Sequence, residues 1–289
     1  MKADERGLYI SFLGIDGIGK TTLAESLAEE LRERGREVTV VSWRSSLDAD
    51  LPVWPQEALR TLWMDTFRLI FGGAMDGGGH VSLPERYEEW RDSNAEDSLG
   101  DLKASASSPS GPLAAMIVEF AGNIVLNSEV IRPAVERGEV VIQETYPYKH
   151  VLKEYLLALE LSKNSAGGRY SVREIESLFA PIEEFFGGAS LRPDLGVLVD
   201  GPVTLAHEWR LKQSGRVGVL EDLRTTGETG QDGFVRLQSD SAGRYRDFAQ
   251  KWGWCVHAVE DAPLEKNLTR GLDLVRSEIA ALRPSWKLG

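Results

Sequence analysis

The sequence has little of what marks secreted and membrane proteins. Its 289 residues include one cysteine, Cys255, so an intrachain disulfide is impossible and a reducing compartment is favoured. The first seven residues, MKADERG, are mostly polar, and no signal-peptide core of apolar residues follows them. No uninterrupted apolar run approaches the roughly 18 residues that span a bilayer. We therefore expect a cytoplasmic protein with no membrane partner.

Positive charge is also scarce, which limits the classes of partner. The chain has 33 lysine and arginine residues against 45 aspartate and glutamate residues, so its formal net charge is −12. General binding to nucleic acid needs a basic surface, and we expect no nucleic-acid partner. The four histidines, at positions 80, 150, 207 and 257, match no metal-ligand spacing. The composition therefore indicates no resident metal site and no polyanionic partner.

Five short apolar segments alternate with helical patterns along the chain. The predicted strands are Leu8–Leu13, Val38–Trp43, Val140–Gln143, Leu195–Val199 and Cys255–Val259. After the first strand, Leu23, Leu27 and Leu31 recur every fourth residue, as on one face of a helix. Buried strands separated by helices are typical of a parallel sheet covered on both faces. We expect one α/β/α domain over residues 1–289, with a five-stranded parallel sheet.

Two segments interrupt this alternation. Residues 73–112 combine a glycine-rich stretch, an acidic stretch and the low-complexity sequence SASSPSG, a composition that cannot bury much surface. We expect a flexible insertion with one short helix near Pro84–Arg91, acting either as an inert surface loop or as a lid over a binding site. Residues 215–233 are rich in glycine and charge. They form either a lid that closes over phosphates or an ordinary solvated loop.

Residues 14–21, GIDGIGKT, match the phosphate-loop pattern G-x-x-x-x-G-K-[S/T]. The glycines let backbone N–H groups converge on one anion, and the next helix points its positive dipole end there. Lys20 is expected to bridge the β- and γ-phosphates of ATP, and the Thr21 hydroxyl to bind Mg²⁺. The predicted nucleotide-binding residues are Gly14, Asp16, Gly17, Ile18, Gly19, Lys20, Thr21 and Thr22.

Glu144 is the second candidate ligand for Mg²⁺. It directly follows the strand Val140–Gln143, and the carboxyl edge of a parallel sheet is where such folds bind ligands. We expect its carboxylate beside the phosphate loop. A glutamate that only starts a helix or forms a salt bridge is the alternative. The chain has no N-K-x-D motif, which disfavours a GTPase switch.

Four segments in order resemble the thymidylate kinase family. They are FLGIDGIGKTTLAESLAEEL at 12–31, EVIRPAVERGEVVIQE at 129–144, RPDLGVLVDGPVTLAHEWRLKQSGR at 192–216 and GFVRLQSDSAGRYRDFAQKWGW at 233–254. The likeness covers most of the chain and leaves residues 73–112 outside. It implies a nucleotide-kinase fold, transfer of the γ-phosphoryl group of ATP with Mg²⁺, and a small-molecule acceptor. It also implies a possible homodimer through a helix at Met116–Arg137, whose apolar face is equally suited to burial within one chain.

The resemblance also implies roles for individual residues. Asp16 matches the loop acid that faces the acceptor's sugar hydroxyl, Arg44 the arginine that holds the acceptor phosphate, and Phe120 the aromatic residue that stacks on the acceptor base. Arg210, Arg216 and Arg224 match lid positions that clamp the transferred phosphoryl group or flank the adenine. Glu144 matches the aspartate of the family's D-R pair. These matches make Lys20, Asp16, Glu144, Arg210 and Arg216 the candidate catalytic residues.

The sequence departs from the family at two acceptor-side arginines. Thr145 stands where the D-R pair has its arginine, and Asn123 stands where a second arginine follows the stacking residue. Each lost guanidinium is worth about 1.5–3 kcal/mol of charged hydrogen bonding. We therefore expect a changed acceptor, bound by Arg44, Phe120, Asn123 and Tyr146, with Lys149 as a further cation.

Three readings of the function stay open at this level. The first is a kinase for a nucleotide, a nucleoside-like molecule or another small acceptor, in which Asp16 or Glu144 takes the proton of a bare hydroxyl. The second is an orthodox dTMP kinase. The third is a nucleotide-binding regulatory protein without catalysis.

Overall fold

A five-stranded parallel sheet organises the chain, in the order β2-β5-β1-β6-β7. The computed structural model describes residues 6–71, 75–76, 79–95, 99, 108–164, 170–223 and 228–286. The sheet strands are β1 (Leu8–Leu13), β2 (Val38–Val41), β5 (Val140–Gln143), β6 (Leu195–Asp200) and β7 (Cys255–Ala258), and a two-residue pair, β3 (Met75–Asp76) and β4 (Gly79–His80), lies apart from it. All four strand pairs in the sheet are parallel. The predicted five-stranded parallel α/β sheet is therefore confirmed.

Helices connect the strands and pack around the sheet. They are α1 (Lys20–Glu33), α2 (Trp43–Leu47), α3 (Val53–Phe71), α4 (Tyr87–Asp92), α5 (Ser110–Leu126), α6 (Arg132–Glu136), α7 (Tyr148–Asn164), α8 (Val172–Gly187), α9 (Val203–Ser214), α10 (Gly230–Trp252) and α11 (Leu264–Leu282). Every residue of the central strand β1 is buried, and so is every residue of β5. Burial of both sheet faces explains why these strands read as continuous apolar runs.

The strand order places the phosphate loop at the middle of the sheet. From β1 the chain crosses to β2 and returns to β5 on one side, and it later continues through β6 and β7 on the other side. The loop after β1 therefore lies where the connections part to opposite sides. Ligands of open α/β sheets bind at such a switch point, outside the carboxyl ends of the strands.

Helix α5 runs through a π-helical turn, Asn127–Ile131, into α6. The whole span, Ser110–Glu136, is long and apolar enough to cross a membrane by length and composition alone, although polar residues such as Glu119 interrupt its apolar sequence. It packs against α3 and α7, and it buries the polar side chains of Glu119 and Asn123. Buried polar groups facing neighbouring helices are what a core helix of a globular protein shows.

Part of the segment 73–112 contributes to a second hydrophobic core. Helix α4 falls close to the predicted short helix, and its Tyr87 and Trp90 are buried. The Trp90 ring lies 4.7 Å from that of Phe67 on α3, measured between centroids. The expectation that this segment buries little surface is wrong for α4, because its aromatic residues cover α3.

Candidate active site

The phosphate loop has the backbone that its glycines allow. Gly17 has φ +78°, and a Cβ there would lie 2.3 Å from the carbonyl oxygen of Ala206. Gly19 has φ +94° and precedes α1, whose start carries no side-chain cap. The first N–H groups of α1 lack helical partners and point out of the helix end. They form, with the loop, an arrangement suited to phosphate oxygens.

A cavity of about 560 Å³ opens at the loop. Its lining comes from five parts of the chain: the loop with the start of α1, the residues after β5, α9, the segment after α9, and the start of α11. The lining residues are Asp16, Gly17, Gly19, Lys20, Thr21, Thr22, Thr145, Lys149, Trp209, Arg210, Lys212, Gln213, Glu221 and Leu264. Four of these side chains are cationic and two are carboxylates. The cavity is therefore electropositive in an acidic protein and is suited to an anion.

Asp16 is the centre of a buried network. Its carboxylate pairs with the ammonium groups of Lys149 and Lys153 on α7, and it accepts a hydrogen bond of 2.8 Å from Gln238 Nε2. Gln238 Oε1 accepts in turn from the Asp16 backbone N–H at 3.0 Å. Burial alone would raise the pKa of Asp16, but Lys149 and Lys153 outweigh it and hold the pKa well below its ordinary value. Such a carboxylate is a poor proton acceptor at neutral pH.

Lys20 lies folded against its own loop. Its Nζ donates a 2.5 Å hydrogen bond to the carbonyl oxygen of Ile15. Burial, reinforced by the positive charge of Lys149, lowers the pKa of Lys20 well below its ordinary value. A lysine that is desolvated beside other cations gains a partner when phosphate arrives, so the loop is electrostatically prepared for an anion.

The segment after α9 is tied down onto the cavity. Arg210 and Glu221 form a two-point ion pair, with Nε–Oε2 2.7 Å and Nη2–Oε1 2.6 Å. Glu221 Oε2 also accepts from the backbone N–H of Gly218 at 2.8 Å. Lys153 Nζ donates to the carbonyl oxygen of Leu220 at 2.8 Å, which joins this segment to α7.

The predicted loop residues divide into two groups. Asp16, Gly17, Gly19, Lys20, Thr21 and Thr22 line the cavity. Gly14 and Ile18 instead shape the loop: a Cβ on Gly14 would lie 2.3 Å from the carbonyl oxygen of Val199, and Ile18 is buried in the main core. Their side of the loop faces the protein.

The segment after β5 brings Thr145 into the cavity. Thr145 lines the cavity together with Lys149, whereas Glu144 is half-buried beside it and is not among the lining residues. Thr21 offers a hydroxyl oxygen at the cavity wall. Oxygen ligands in small number suit Mg²⁺ that is held mostly by the phosphates of a nucleotide. The residues that the structure describes include no cluster of three or more His, Cys, Asp or Glu side chains able to hold a metal.

The structure corrects the prediction that Tyr146 binds the acceptor. Its side chain is 1% exposed, and its hydroxyl donates a 2.6 Å hydrogen bond to the carbonyl oxygen of Phe186. The ring packs against Phe186, Phe248 and Trp254. Tyr146 is therefore held in the core by its hydroxyl and its ring contacts, and it does not line this cavity.

Other predicted acceptor residues lie away from the lining of this cavity. Phe120 is half-buried, and its ring makes edge contacts with Phe185 and Phe186. Asn123 is buried, and its Nδ2 donates to the carbonyl oxygen of Glu119 at 2.7 Å. The structure thus gives both side chains packing partners within the helical layer, and it does not bring them to the loop.

The predicted arginines differ in position. Arg210 lines the cavity, as the resemblance implies. Arg44 is exposed on α2, and Arg216 is exposed in the segment after α9, where its carbonyl oxygen accepts from the Ser214 hydroxyl at 2.6 Å. Arg224 lies outside the described residues.

Several residues at the site were not predicted, among them Lys212, Gln213 and Leu264 of the cavity lining and four residues with defined contacts. Lys153 and Gln238 hold Asp16, Glu221 holds Arg210, and Trp209 lies beside Gly19 on the cavity wall. Lys153 follows Lys149 by four residues, a helical spacing that would have placed both on one face of α7. No comparable signal marks Gln238, which is 222 residues from Asp16.

The sheet order and the phosphate loop define a P-loop α/β fold of the nucleotide-kinase type, with a cationic cavity at the loop. Three curated proteins named thymidylate kinase are similar to this chain. Those of Bifidobacterium longum subsp. infantis and B. longum DJO10A are 28% and 29% identical over 202 residues, 70% of this chain, and that of Pseudomonas fluorescens Pf0-1 is 27% identical over 246 residues, 83% of this chain. The matches span 62%, 70% and 85% of those proteins, so this chain covers less than two thirds of the first. No protein-family model matches the sequence. The chain is a distant relative of the thymidylate kinases.

Proposed function

We propose that this chain transfers the γ-phosphoryl group of ATP, bound with Mg²⁺, to a small-molecule acceptor. The acceptor is a nucleotide, a nucleoside-like molecule or another hydroxylated metabolite. The observation that carries the proposal is the single cavity that joins the phosphate loop to Thr145 and Lys149 after β5. A donor phosphate on the loop and an acceptor beside α7 would share that cavity, as direct transfer requires.

The donor side is assigned to the loop and α9. Backbone N–H groups at the start of α1 and the Lys20 ammonium would bind the phosphates, and Thr21 would hold Mg²⁺, with Glu144 as the predicted second ligand. Mg²⁺ would neutralise charge on the phosphates when bound. Trp209 and Leu264 flank Gly19 and would offer an apolar wall to the adenine. Arg210 would clamp the transferred group once Glu221 releases it.

The acceptor side is assigned to the first turns of α7. Thr145 replaces a guanidinium with a neutral hydroxyl, while Lys149 and Lys153 bring two ammonium groups that Asp16 already pairs. An acceptor here meets less uncompensated positive charge than a nucleoside monophosphate kinase would offer. Because Asp16 stays ionised between two lysines, we assign it to positioning. Glu144 is then the candidate base for a bare hydroxyl, as the alternative to its role as a Mg²⁺ ligand.

We infer that residues 1–289 form one kinase domain that acts in the cytoplasm. Residues 215–233 would be its lid. The ion pair of Arg210 with Glu221 and the bond from Lys153 to Leu220 are the contacts that lid opening would break. A homodimer stays a prediction.

The test is ATP consumption with Mg²⁺ and a panel of acceptors: dTMP, other nucleoside monophosphates, free nucleosides and small hydroxylated or amine metabolites. Lys20→Ala should lower turnover by about two to three orders of magnitude, the cost of removing one preorganised phosphate ligand. Lys163→Ala, at the far end of α7, is the matched control and should turn over ATP as the natural protein does.

The outcomes separate the readings. Turnover with dTMP alone, which the names of the relatives favour, would make the chain an orthodox dTMP kinase and refute the changed acceptor. Equal, acceptor-independent ATP consumption by the natural protein and Lys20→Ala would refute catalysis and leave a nucleotide-binding regulatory protein.

A further inference from the structure

A pair of buried carboxyl groups lies on α5 and α7, two helices that pack against each other. Glu119 on α5 is 4% exposed and Glu154 on α7 is 1% exposed. The two helices pack along each other. On α7, Lys149 and Lys153 face Asp16, and Glu154 lies one residue and so about 100° further round the helix than Lys153. The acid pair therefore adjoins the lysine face within the same two turns.

Glu154 has two polar atoms without a hydrogen-bond partner. Neither of its carboxyl oxygens has one among the residues that the structure describes, although both atoms are buried. Burial, together with the negative charge of Glu119, raises the pKa of Glu154 well above its ordinary value. A buried carboxyl group that no protein donor satisfies is destabilising, and in a native protein it calls for a partner from outside the chain, such as a ligand, an ion or a water molecule.

Glu119 is already partly engaged and fixes one side of the pair. Its Oε1 accepts from Asn123 Nδ2 at 3.2 Å and lies 3.4 Å from Nδ1 of His150, whose side chain is 41% exposed. His150 precedes Glu154 by one helical turn, so the pair has a partly open end at His150. Asn123 and His150 thus hold Glu119 in place, while Glu154 keeps its acceptor capacity.

We propose that Glu154 and Glu119 bind an amino or amidine-type nitrogen of the acceptor. The inference rests on the proposed function and names its substrate class: a hydroxylated small molecule that carries N–H donors at the end remote from the phosphorylated oxygen. Such a nitrogen donates to the Glu154 oxygens and compensates the negative charge of the pair. A carbonyl oxygen in the same place accepts at most one hydrogen bond, from Glu154 in its protonated form, and leaves the negative charge of Glu119 uncompensated, so the pair favours acceptors that carry the nitrogen.

The test uses pairs of molecules that differ in this nitrogen: cytidine with uridine, their 5′-monophosphates, and glucosamine with glucose. Two quantities are measured for each pair, the kcat/KM of ATP-dependent turnover and the rise in melting temperature without ATP. The natural protein should prefer the nitrogen-bearing member of at least one pair by about tenfold, the size of a charged hydrogen bond.

Glu154→Leu and Glu154→Gln are the variants, and Glu160→Gln is the matched control. Glu160 is also a buried glutamate on α7, but it pairs with Arg236. Glu154→Leu should abolish the preference and leave the unliganded melting temperature unchanged or higher, because it removes an unsatisfied buried group. Glu154→Gln keeps one acceptor oxygen and should keep part of the preference. Glu160→Gln should keep all of it.

An equal response of the two members in every pair, or a preference that survives in Glu154→Leu, would overturn the inference. Turnover confined to members without the nitrogen would uphold the proposed function and refute the inference. No turnover with any acceptor, together with a nitrogen-dependent rise in melting temperature that Glu154→Leu removes, would refute the proposed function and uphold the inference.

Discussion

The two ends of the cavity hold charge in different ways. At the phosphate loop, backbone N–H groups and one helix start face the cavity, and Lys20 is the single lysine contributed by that stretch. At α7, charge is held by side chains that pair across the fold, with Asp16 between Lys149 and Lys153. The first arrangement suits any phosphate chain, because its donors are mostly backbone N–H groups and depend little on the side chains. The second depends on side chains, so it can change its ligand without changing the fold.

The largest effect is expected where the α7 end depends on one carboxylate. Asp16→Asn would leave Lys149 and Lys153 buried without the carboxylate that pairs with both, and we expect the free energy of unfolding to fall by about 3–5 kcal/mol. Urea unfolding at neutral pH measures it. Asp273→Asn, which removes an exposed partner of Arg276, should cost far less.

The pairing of Asp16 with the two lysines also predicts how the stability of the protein depends on pH. The pKa of Asp16 is depressed in the folded protein, so its stabilisation is complete above its unfolded pKa of about 3.9 and is lost as pH falls through the lower folded value. The natural protein and Asp16→Asn should therefore converge in stability in acid. Equal stability of the two proteins at pH 7 would show that the lysines find other partners.

An intermediate effect is expected at the adenine wall. Trp209→Ala should weaken ATP binding by about one to two orders of magnitude, since stacking of an aromatic ring on a base contributes about 1–3 kcal/mol. Trp209→Phe should keep most of the affinity, and Trp54→Ala, at an exposed tryptophan of α3, should keep all of it. Isothermal titration calorimetry with ATP measures these affinities. An unchanged affinity in Trp209→Ala would show that Trp209 has only a structural role.

The smallest effect is expected at the lid. Glu221→Gln weakens the partner that competes with phosphate for Arg210, and a partly exposed pair is worth about 1 kcal/mol or less. The KM for ATP should therefore fall by about two- to fivefold in steady-state kinetics. Glu208→Gln, on the exposed side of α9, should leave it unchanged. A higher KM in Glu221→Gln would mean that Glu221 orients Arg210 for the phosphate.

The sheet and the phosphate loop follow from local sequence, because a buried strand and a G-x-x-x-x-G-K-T turn carry their pattern within a few residues. The network around Asp16 at the α7 end of the cavity does not follow from local sequence, since Gln238 reaches Asp16 only through the packing of α10. Tyr146 shows that the direction of a side chain is also hard to predict from local sequence. Its place at the carboxyl edge of the sheet was predictable, but whether its ring faces the cavity or the core depends on the turn at Thr145 and on room beside Phe186.

The π-helical turn at Asn127–Ile131 sets the angular phase of the long helix. A π-turn contains one residue more than an α-turn, and each residue advances an α-helix by about 100°. The turn therefore lets Glu119 face α7 while Arg132, after it, reaches the carbonyl oxygens of Ser190 and Arg192. Loss or gain of one residue there would rotate α5 relative to α6 and present a new set of side chains to α7. With Glu119 and Glu154 bound to the acceptor as proposed, a single-codon deletion at this turn would change acceptor specificity.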